Sequence, residues 1–392
     1  MAEQNRILVL FGNVPLLGNE RANIETMRQL KERGADVLFL IRKEWTEDML
    51  QPELVSQGLA FETVPYFGAA RKNLSPLIWA QNIVRIIGAS AELLWRARTF
   101  RATHVHCGSL AWVLNFMPAL MVMRQPLVFR AGEMPPLHHV LWRLVFTYLR
   151  RRAARVVCDS YFMQQQMIAL GVPASKCEVV YAPPPKRPRA GSVHEARPDG
   201  NDGVPVILFV GQISAEKGVL DLVEAAADLA KRHSFRMRLV GSLDMDKGFV
   251  GRLKNLISER GLEQRVELSG WVEDVGACYR AADIHVAPSL LSEGYGLSIV
   301  EAKANGLPSV IYASGGMAEL VEHGVDGLIV RNRTPAGLVE MLGQYLDDPG
   351  MRSRHGSAAL DSLTGRLRVQ HFGAGWQAVY DETRLVGGVE KS

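Results

Sequence analysis

Short apolar runs alternate with amphipathic stretches along the chain, and many of the runs end at a glycine or proline. In the first half these runs read RILVLFG, GADVLFLIR, LAFETVPY, THVHCG, PLVFRAG, ARVVCDS and CEVVYAP. Runs of this length and composition are typical of buried parallel strands, and helical patterns lie between most of them. The first half is therefore predicted to be an open parallel sheet with helices on both faces.

The alternation stops at a segment with almost nothing to bury and then starts again. Residues 183–203 are rich in Pro, Gly and charge, which is typical of an interdomain linker. The later strand-like runs are PVILFVG, FRMRLVG, VELSG, DIHVAPS, PSVIYAS and DGLIV, and a helical pattern follows the first of them from Val219 to about His233. We predict a first domain over 1–190, a linker over 191–203, a second domain over 204–365, and a C-terminal helix over 366–392 that could cross back to the first domain.

The predicted fold class is α/β, with two doubly wound Rossmann-like domains facing a cleft. A chain of 392 residues is too long for one compact core and suits two domains. In doubly wound sheets, ligands bind at the carboxyl ends of the strands. The loops that follow the predicted strands are therefore the places to look for functional residues.

Charge and cysteine content narrow the class of protein. The net charge of +4 does not argue for nucleic acid, and the four cysteines are far apart with no CxxC pair, so neither zinc nor a disulfide framework is expected. The chain opens without a signal-peptide pattern. Its longest nearly apolar run, LAWVLNFMPALMVM, has 14 residues and falls short of the ~20 that span a bilayer. We predict a buried helix there and a cytoplasmic protein.

The stretch SEGYGLSIVEAKANGLPSV carries two glutamates at the end of a predicted strand. Glu293 lies in the loop after DIHVAPS, and Glu301 lies in the second turn of a helix that begins at Leu297. The backbone N–H groups of residues 294–298 form an anion site at this helix start. A phosphate held there, with a carboxylate on either side to accept sugar hydroxyls, is the layout that a nucleotide-sugar needs. The alternative is that both glutamates only stabilise the helix through its dipole.

A second loop, FVGQISAEKG, follows the first strand of this half. Lys217 could place its ammonium on a diphosphate, or it could be a solvated residue at a helix start. Both loops leave strands of one predicted sheet, so both can face one ligand.

These motifs resemble the nucleotide-binding domain of glycosyltransferase family 4, a group of retaining enzymes with the GT-B fold. GQISAEKG is similar to the family's G-R-x-x-x-E-K-G loop, and SGWVEDVGACYRAADIHVAPS is similar to its G-x-v segment and the strand after it. EGYGLSIVEAKANGLPSV matches its E-x7-E motif glycine for glycine. The resemblance covers about Val204 to Val330.

The resemblance implies a role for each matching residue. Glu293 would contact the transferred sugar, Glu301 would bind ribose, and Lys217 would hold the diphosphate. Further donor contacts are implied for Gly294, Tyr295, Gly296, Leu297 and Ser298, and near the base for Trp271, Val272 and Glu273. The family usually has Arg where this chain has Gln212, so either Gln212 donates a neutral hydrogen bond or another basic residue substitutes.

The first half departs further from the family pattern. Gly18 is a candidate for close approach to the donor phosphates, although the frequent Gly-Gly pair is missing and a simple turn would also explain it. The family's His after the strand PLVFR is absent, and we expect Arg130 or Glu133 to face the cleft instead, with Glu133 as a catalytic candidate beside Glu293 and Lys217. His106 either contacts the acceptor or is a core histidine.

The chemistry follows from the leaving group, because a departing nucleoside diphosphate must be stabilised as negative charge grows on it. Lys217 and the helix amides would supply that stabilisation without a metal. The DMD sequence at residues 244–246 suggests a metal motif, but capping of the next helix explains it better. The resemblance implies retention of anomeric configuration, for which we favour a front-face mechanism in which the leaving phosphate helps to deprotonate the acceptor.

Two basic amphipathic stretches affect the prediction of the acceptor class. PLIWAQNIVRIIGASAELLWRARTFR and LWRLVFTYLRRRAARVV both combine Trp and Arg on helical patterns. Such helices can lie on an anionic membrane, or their apolar residues can be core and their arginines solvated. The acceptor is correspondingly a small molecule, a glycan or a lipid-linked sugar, and the protein is cytoplasmic, either free or peripheral on the inner face of the membrane.

We therefore predict a retaining, metal-independent glycosyltransferase of the hexosyltransferase type. It would use a nucleoside-diphosphate sugar as co-substrate and need no cofactor or nucleic acid. The alternatives are a nucleotide-sugar epimerase and a non-catalytic donor-binding module at a membrane. A dehydrogenase is disfavoured because no G-x-G-x-x-G opens either half.

Overall fold

Two parallel sheets form the framework of the chain, each in its own compact unit. The computed structural model describes residues 4–11, 18–42, 50–64, 76–182 and 203–389. The first unit contains the described residues up to Ala182 and those from His371 onward, and the second contains those between them. The predicted linker lies outside the described residues except for Gly203.

The described residues of the first unit form seven strands in the order β3-β2-β1-β4-β5-β6-β7, all paired in parallel. The strands are β1 (Arg6–Leu10), β2 (Asp36–Arg42), β3 (Ala60–Val64), β4 (His104–Cys107), β5 (Leu127–Ala131), β6 (Ala153–Cys158) and β7 (Cys177–Val179). The helices are α1 (Gly18–Glu32), α2 (Leu50–Ser56), α3 (Pro76–Thr99), α4 (Leu110–Asn115), α5 (Met117–Val122), α6 (Val140–Arg152) and α7 (Tyr161–Ala169).

The second unit has six parallel strands in the order β10-β9-β8-β11-β12-β13. The strands are β8 (Val206–Val210), β9 (Arg236–Val240), β10 (Val266–Gly270), β11 (Ile284–Ala287), β12 (Ser309–Tyr312) and β13 (Gly327–Val330). The helices are α8 (Val219–Leu229), α9 (Lys247–Glu259), α10 (Val275–Arg280), α11 (Leu297–Ala304), α12 (Met317–Leu320), α13 (Pro335–Asp347) and α14 (Pro349–Thr364). A last helix, α15 (Phe372–Val389), returns to the first unit.

All thirteen predicted strands are present, and the α/β prediction is confirmed. Both sheets have the strand order of a doubly wound Rossmann-like fold, which changes direction between β1 and β4 and again between β8 and β11. Each of these two points is an opening at the carboxyl ends of two neighbouring strands. A ligand of either unit is expected there.

Side-chain alternation along the strands separates two layers of core in the first unit. Leu8 and Leu10 pack with residues of α3, α4, α5 and α6 on one face of the sheet. Ile7 and Val9 pack with residues of α1, α2 and α15 on the other face. Because successive strand residues point to opposite faces, one apolar run serves both layers.

Two helix predictions need correction. The run LAWVLNFMPALMVM was expected to form one buried helix, but it forms α4 and α5, with Phe116 as the C-cap of one and the N-cap of the other. Pro118, which lacks an N–H donor, is accommodated in the first turn of α5. Met121 and Val122 are each 67% exposed, so the end of this run is not buried. The stretch LWRLVFTYLRRRAARVV is helical only to Arg152, because its last five residues begin β6.

Among the described residues, no helix is both long enough and apolar enough to cross a bilayer.

We expect Trp376→Ala to destabilise the first unit strongly. The Trp376 side chain is 0% exposed and lies in the core layer formed with α1 and α2. Truncating a buried Trp costs about 3–5 kcal/mol of unfolding free energy, which urea denaturation would measure. Trp95→Ala is the matched control, because Trp95 is 53% exposed and its loss should change the unfolding free energy little. Equal losses for the two variants would contradict the burial of α15.

Candidate functional site

Two loops of the second unit meet where β8 and β11 lie side by side. A one-turn helix, Ala215–Lys217, follows β8 and ends at Gly218, whose φ is +69°. A Cβ at Gly218 would lie 1.9 Å from the carbonyl oxygen of Pro288, just after β11. The amides of Leu290 and Leu291 both point to the carbonyl oxygen of Glu216, at 2.9 and 3.4 Å. Only glycine at position 218 permits the approach to the Pro288 carbonyl, and this approach fixes the first loop on the second.

This backbone contact brings Lys217 and Glu293 together. The Lys217 Nζ lies 2.5 Å from Glu293 Oε1, and the Ser289 hydroxyl donates to the same oxygen at 2.6 Å. The two charged side chains are 30% and 22% exposed, so both remain open to solvent and to a ligand. Two of the three predicted catalytic residues therefore form one ion pair.

A third loop, after β12, holds the backbone of Glu293 in place. Gly315 has φ +52°, and a Cβ there would lie 2.2 Å from the Glu293 carbonyl oxygen. The amide of Gly316 donates to that oxygen at 2.8 Å, and the Ser314 hydroxyl donates to the Leu291 carbonyl. No site residue was predicted in this loop. Its Gly-Gly pair directly after the strand PSVIYAS was the available signal.

Helix α11 begins a few residues after Glu293, and the N–H groups of a first helical turn have no partner within the helix. Its N-cap is Gly296, with φ +125°, and within the described part of the chain no side chain caps its first turn. A Cβ at Gly296 would lie 2.9 Å from Met317, so glycine is required for the packing as well as for the backbone conformation. Leu297 and Ser298 begin the helix as predicted, and their amides are placed to receive an anion.

The second glutamate of the pair is oriented by a tyrosine that the sequence analysis missed. Tyr279, on α10, donates its hydroxyl to Glu301 Oε2 at 2.7 Å and lies 3.3 Å from the Ser298 carbonyl oxygen. The tyrosine is only 2% exposed, whereas Glu301 is partly exposed. A buried hydroxyl thus fixes the direction of a carboxylate that a ligand can reach.

A buried ion pair anchors the far end of α11. Lys303 is fully buried, with Nζ 2.7 Å from Asp326 Oδ2 and 3.1 Å from the Ser362 hydroxyl. Arg366 reaches the same carboxylate oxygen at 3.2 Å. Burial lowers the pKa of Lys303 to about 8, with the Asp326 charge opposing that shift. The lysine therefore remains mostly charged at neutral pH, and its pairing ties α11 to β13 and to the end of α14.

Other predicted donor residues occupy less specific positions. Trp271 and Glu273 are exposed and Val272 is half-buried after β10, while Gln212 is half-buried in the loop after β8. Gly294 is half-buried, whereas the Tyr295 side chain is buried. Gly18 is the first residue of α1 and is exposed. These donor roles stay predictions.

The capping interpretation of the DMD sequence is confirmed. Asp246 is the N-cap of α9, and its carboxylate accepts from the Phe249 amide at 2.8 Å. Within the described ranges, no three His, Cys, Asp or Glu side chains form a group that could hold a metal ion.

The first unit has a pocket of about 170 Å³ at the carboxyl end of β5. Its polar lining includes Asn19, Arg130 and Glu133, and its apolar lining includes Trp142 and Phe129. Arg130 is 0% exposed and forms a bidentate pair with Asp159, at 2.9 and 3.0 Å. Of the two residues expected to face a cleft, Glu133 is therefore the exposed one, and Arg130 forms the buried floor of the pocket.

His106 is a core residue. Its Nδ1 lies 2.7 Å from the hydroxyl of Tyr380 on α15, and its Nε2 lies 2.9 Å from the Asn23 side-chain oxygen. Asn23 in turn donates to the Asn19 carbonyl at 2.8 Å. Burial lowers the pKa of His106 to about 3, helped by the charge of Arg130, so the ring is neutral. Its side chain is 0% exposed and cannot contact an acceptor, which corrects that alternative.

Two family models match successive parts of the chain. The model described as Glycosyltransferase Family 4 matches residues 18–183, and that described as Glycosyl transferases group 1 matches residues 194–361.

Curated relatives match part of the chain. A D-inositol 3-phosphate glycosyltransferase of an Arthrobacter species (strain FB24) is 36% identical over 191 residues, which are 45% of this chain and 41% of the relative. An alpha-D-kanosaminyltransferase of Streptomyces kanamyceticus is 31% identical over 189 residues, which are 47% and 48% of the two chains. The chain thus spans less than half the length of these relatives.

A solved structure matches nearly the whole chain. The Anabaena protein Alr3699/HepE, determined in complex with UDP-glucose, has a TM-score of 0.80 at 21% identity, covering 96% of this chain and 99% of that one.

Two Rossmann-like units, each matched by a glycosyltransferase model, define the class of this protein as a GT-B glycosyltransferase. Within that class the chain belongs to the family 4 type.

We expect Gly315→Ala to destabilise the second unit. The added methyl group would collide with the Glu293 backbone at a positive φ, and such strain costs about 1–3 kcal/mol. Thermal denaturation would show a lower melting temperature. Gly251→Ala, on α9 and with open space around its Cβ position, is the matched control and should not destabilise. If the two variants have the same melting temperature, the close packing at Gly315 is contradicted.

Proposed function

We propose that this protein transfers a sugar from a nucleoside-diphosphate sugar to an acceptor hydroxyl, with retention of anomeric configuration and without a metal ion. The observation that carries the proposal is the Lys217–Glu293 pair beside the uncapped start of α11. One cation, a row of backbone donors and a carboxylate lie together where two parallel strands end. This set is complementary to a diphosphate joined to a sugar.

Binding of the donor exchanges the partners of this ion pair. The diphosphate carries more negative charge than one carboxylate, so the Lys217 ammonium moves from Glu293 to the phosphate oxygens. Glu293 keeps its hydrogen bond from Ser289 and is then able to accept hydroxyl groups of the transferred sugar. The donor thereby assembles the sugar site as it binds.

Glu301 is proposed to hold the ribose of the same nucleotide. Its carboxylate stands in the second turn of α11, about one turn beyond the amides that receive the phosphate. Tyr279 holds one carboxylate oxygen, so vicinal ribose hydroxyls meet an acceptor whose direction is already set. The Anabaena protein in complex with UDP-glucose supports uridine as the base and a hexose as the sugar.

The chemical step depends on stabilising the departing diphosphate. As the anomeric C–O bond breaks, negative charge grows on the leaving phosphate and oxocarbenium character grows on the sugar. Lys217 and the α11 amides stabilise the first, and the Glu293 carboxylate lies near the second. The acceptor oxygen bonds to the anomeric carbon on the face of the sugar from which the diphosphate departs, and a phosphate oxygen of the leaving group takes the acceptor's proton. Attack on that face retains the anomeric configuration.

The acceptor is proposed to bind in the pocket of the first unit. Trp142 offers an apolar surface for a ring, while Asn19 and Glu133 offer hydrogen bonds to hydroxyls. A small molecule, a glycan and a lipid-linked sugar all present such groups.

The comparisons give no support to the epimerase and binding-module alternatives.

We expect Glu293→Gln to lower turnover by about a hundredfold or more, because the transferred sugar loses a charged acceptor in the transition state. Release of UDP from UDP-sugars in the presence of an acceptor mixture would measure this, and the anomeric proton coupling of the product would test retention. Glu259→Gln, on the exposed side of α9, is the control and should retain turnover. Unchanged turnover in the Glu293 variant would remove the basis of the proposal.

Turnover is also expected to continue in excess EDTA, because Lys217 and backbone amides replace a divalent cation at the diphosphate. The measurement is UDP release before and after dialysis against the chelator. Loss of turnover that returns on adding Mg²⁺ or Mn²⁺ would refute the metal-free mechanism while leaving the transfer reaction itself in place.

A further inference from the structure

Acidic residues are nearly absent from one part of the first unit. Residues 63–158 contain thirteen of the forty-five Lys and Arg residues but only two of the forty-one Asp and Glu residues, Glu92 and Glu133. The remainder of the chain is acidic on balance. The weak positive charge of the whole protein therefore hides a strongly basic segment.

Helix α3, which lies in this segment, has an exposed face that is almost entirely apolar. Its exposed large apolar residues are Ile83, Val84, Ile87, Leu94 and Trp95, with exposures of 54, 69, 59, 38 and 53%. Gly88 and Ala91 lie between them and are exposed too. At helical spacing these residues form one stripe along the helix, opposite Leu93 and Ala97, which are buried in the core.

Helix α5 packs against α3 and extends the apolar surface. Met121 and Val122 are exposed on α5, while Ala119 and Leu120 face the shared core. Arg152 donates to the carbonyls of Leu120, Met123 and Gln125, at 2.7 to 3.0 Å, which fixes the end of α5. We call the exposed residues of α3 and α5 the α3–α5 face.

Exposed arginines that have no side-chain partner among the described residues lie on or next to this face. Four exposed arginines, none with a side-chain hydrogen bond or ion pair to any described residue, lie on α3 or just after α3 and α5: Arg85, Arg98, Arg101 and Arg124. The one acidic residue of α3, Glu92, pairs with Arg96, which also pairs with Glu62 and stacks on Trp95 at 4.4 Å. The face thus presents apolar side chains and positive charge with no exposed carboxylate.

Helix α6, the other basic amphipathic stretch, uses its arginines differently. Arg143, Arg150 and Arg152 each donate to backbone carbonyls of neighbouring segments. These three arginines of α6 therefore help to hold the unit together, as Arg96 does on α3, whereas the four exposed arginines around α3 make no such contact with the described residues.

We propose that the α3–α5 face docks this protein on the surface of an anionic lipid bilayer, with α3 lying in the plane of the interface. Apolar side chains at the centre would enter the headgroup boundary, and the four arginines would contact anionic headgroups. Nucleic acid does not fit a surface of Ile, Val and Met, and a second copy would bring two arginine-rimmed surfaces of like charge together. A lipid-linked or membrane-adjacent acceptor would then reach the pocket of the same unit.

Flotation of the full chain with lipid vesicles tests the docking surface. We expect binding to vesicles of phosphatidylcholine mixed with phosphatidylglycerol, weak binding to phosphatidylcholine alone, and loss of binding at high salt. Ile87→Glu should weaken binding about tenfold or more, since it places a charge in the part of the face that would enter the headgroup boundary. Each of Arg98→Gln and Arg101→Gln should weaken it about fivefold. Val55→Glu, 65% exposed on α2, is the matched control and should bind like the unaltered protein.

Several results would overturn the proposal: equal binding to neutral vesicles, no binding to anionic ones, or an Ile87→Glu variant that still floats. Light scattering that shows a dimer broken by Ile87→Glu would instead assign the face to a second copy. Trp95→Ser serves as a second variant of the face, and melting temperatures confirm that each variant is folded. UDP release is measured without vesicles in parallel. If the unaltered protein releases UDP but does not float with anionic vesicles, only the docking surface is refuted. If it floats but releases no UDP, only the proposed reaction is refuted.

Discussion

The ion pair between Lys217 and Glu293 depends on backbone packing in which side chains take almost no part. Gly218 lies against the carbonyl of Pro288, and Gly315 lies against the carbonyl of Glu293. Three loops that follow β8, β11 and β12 are thereby held within hydrogen-bonding distance of one another. The charged groups of Lys217 and Glu293 are partly exposed, so the proposed exchange of partners would need no change in the loops beneath them. Preorganised polar groups of this kind do not have to be reoriented when charge develops.

Charge is used in opposite ways at the candidate sites of the two units. At the site of the second unit, Lys217, Glu293 and Glu301 are partly exposed, and in the proposed reaction a ligand replaces their present partners. In the first unit, Arg130 is buried with Asp159, and His106 is neutral between two hydrogen-bonding partners. Removing one partner from a buried pair leaves an uncompensated charge, so such pairs stay fixed. The first unit therefore shapes its pocket with permanent interactions, whereas the binding proposed for the second unit uses exchangeable ones.

The sequence was sufficient for the strands and for two of the three loops that form the second unit's site. Parallel strands buried on both faces give short apolar runs that are easily recognised, and the loops after them follow from chain order alone. Tertiary neighbours were not accessible in this way. Tyr279 reaches Glu301 from another helix, Lys303 meets Asp326 across 23 positions of sequence, and His106 finds Tyr380 across 274. The division of one apolar run into α4 and α5 was missed because hydrophobicity was weighed above the helix-breaking effect of Pro118.

The position of α15 has a consequence for how this chain acquires its structure during synthesis. Trp376, Val379 and Tyr380 belong to the core layer beneath α1 and α2, yet the ribosome makes them after the entire second unit. The second unit is continuous in sequence and can fold as soon as it emerges. The nascent first unit must wait, with part of one face of its sheet uncovered, until the last helix arrives. Such an intermediate exposes apolar surface, which is the state that chaperones bind and that aggregation begins from.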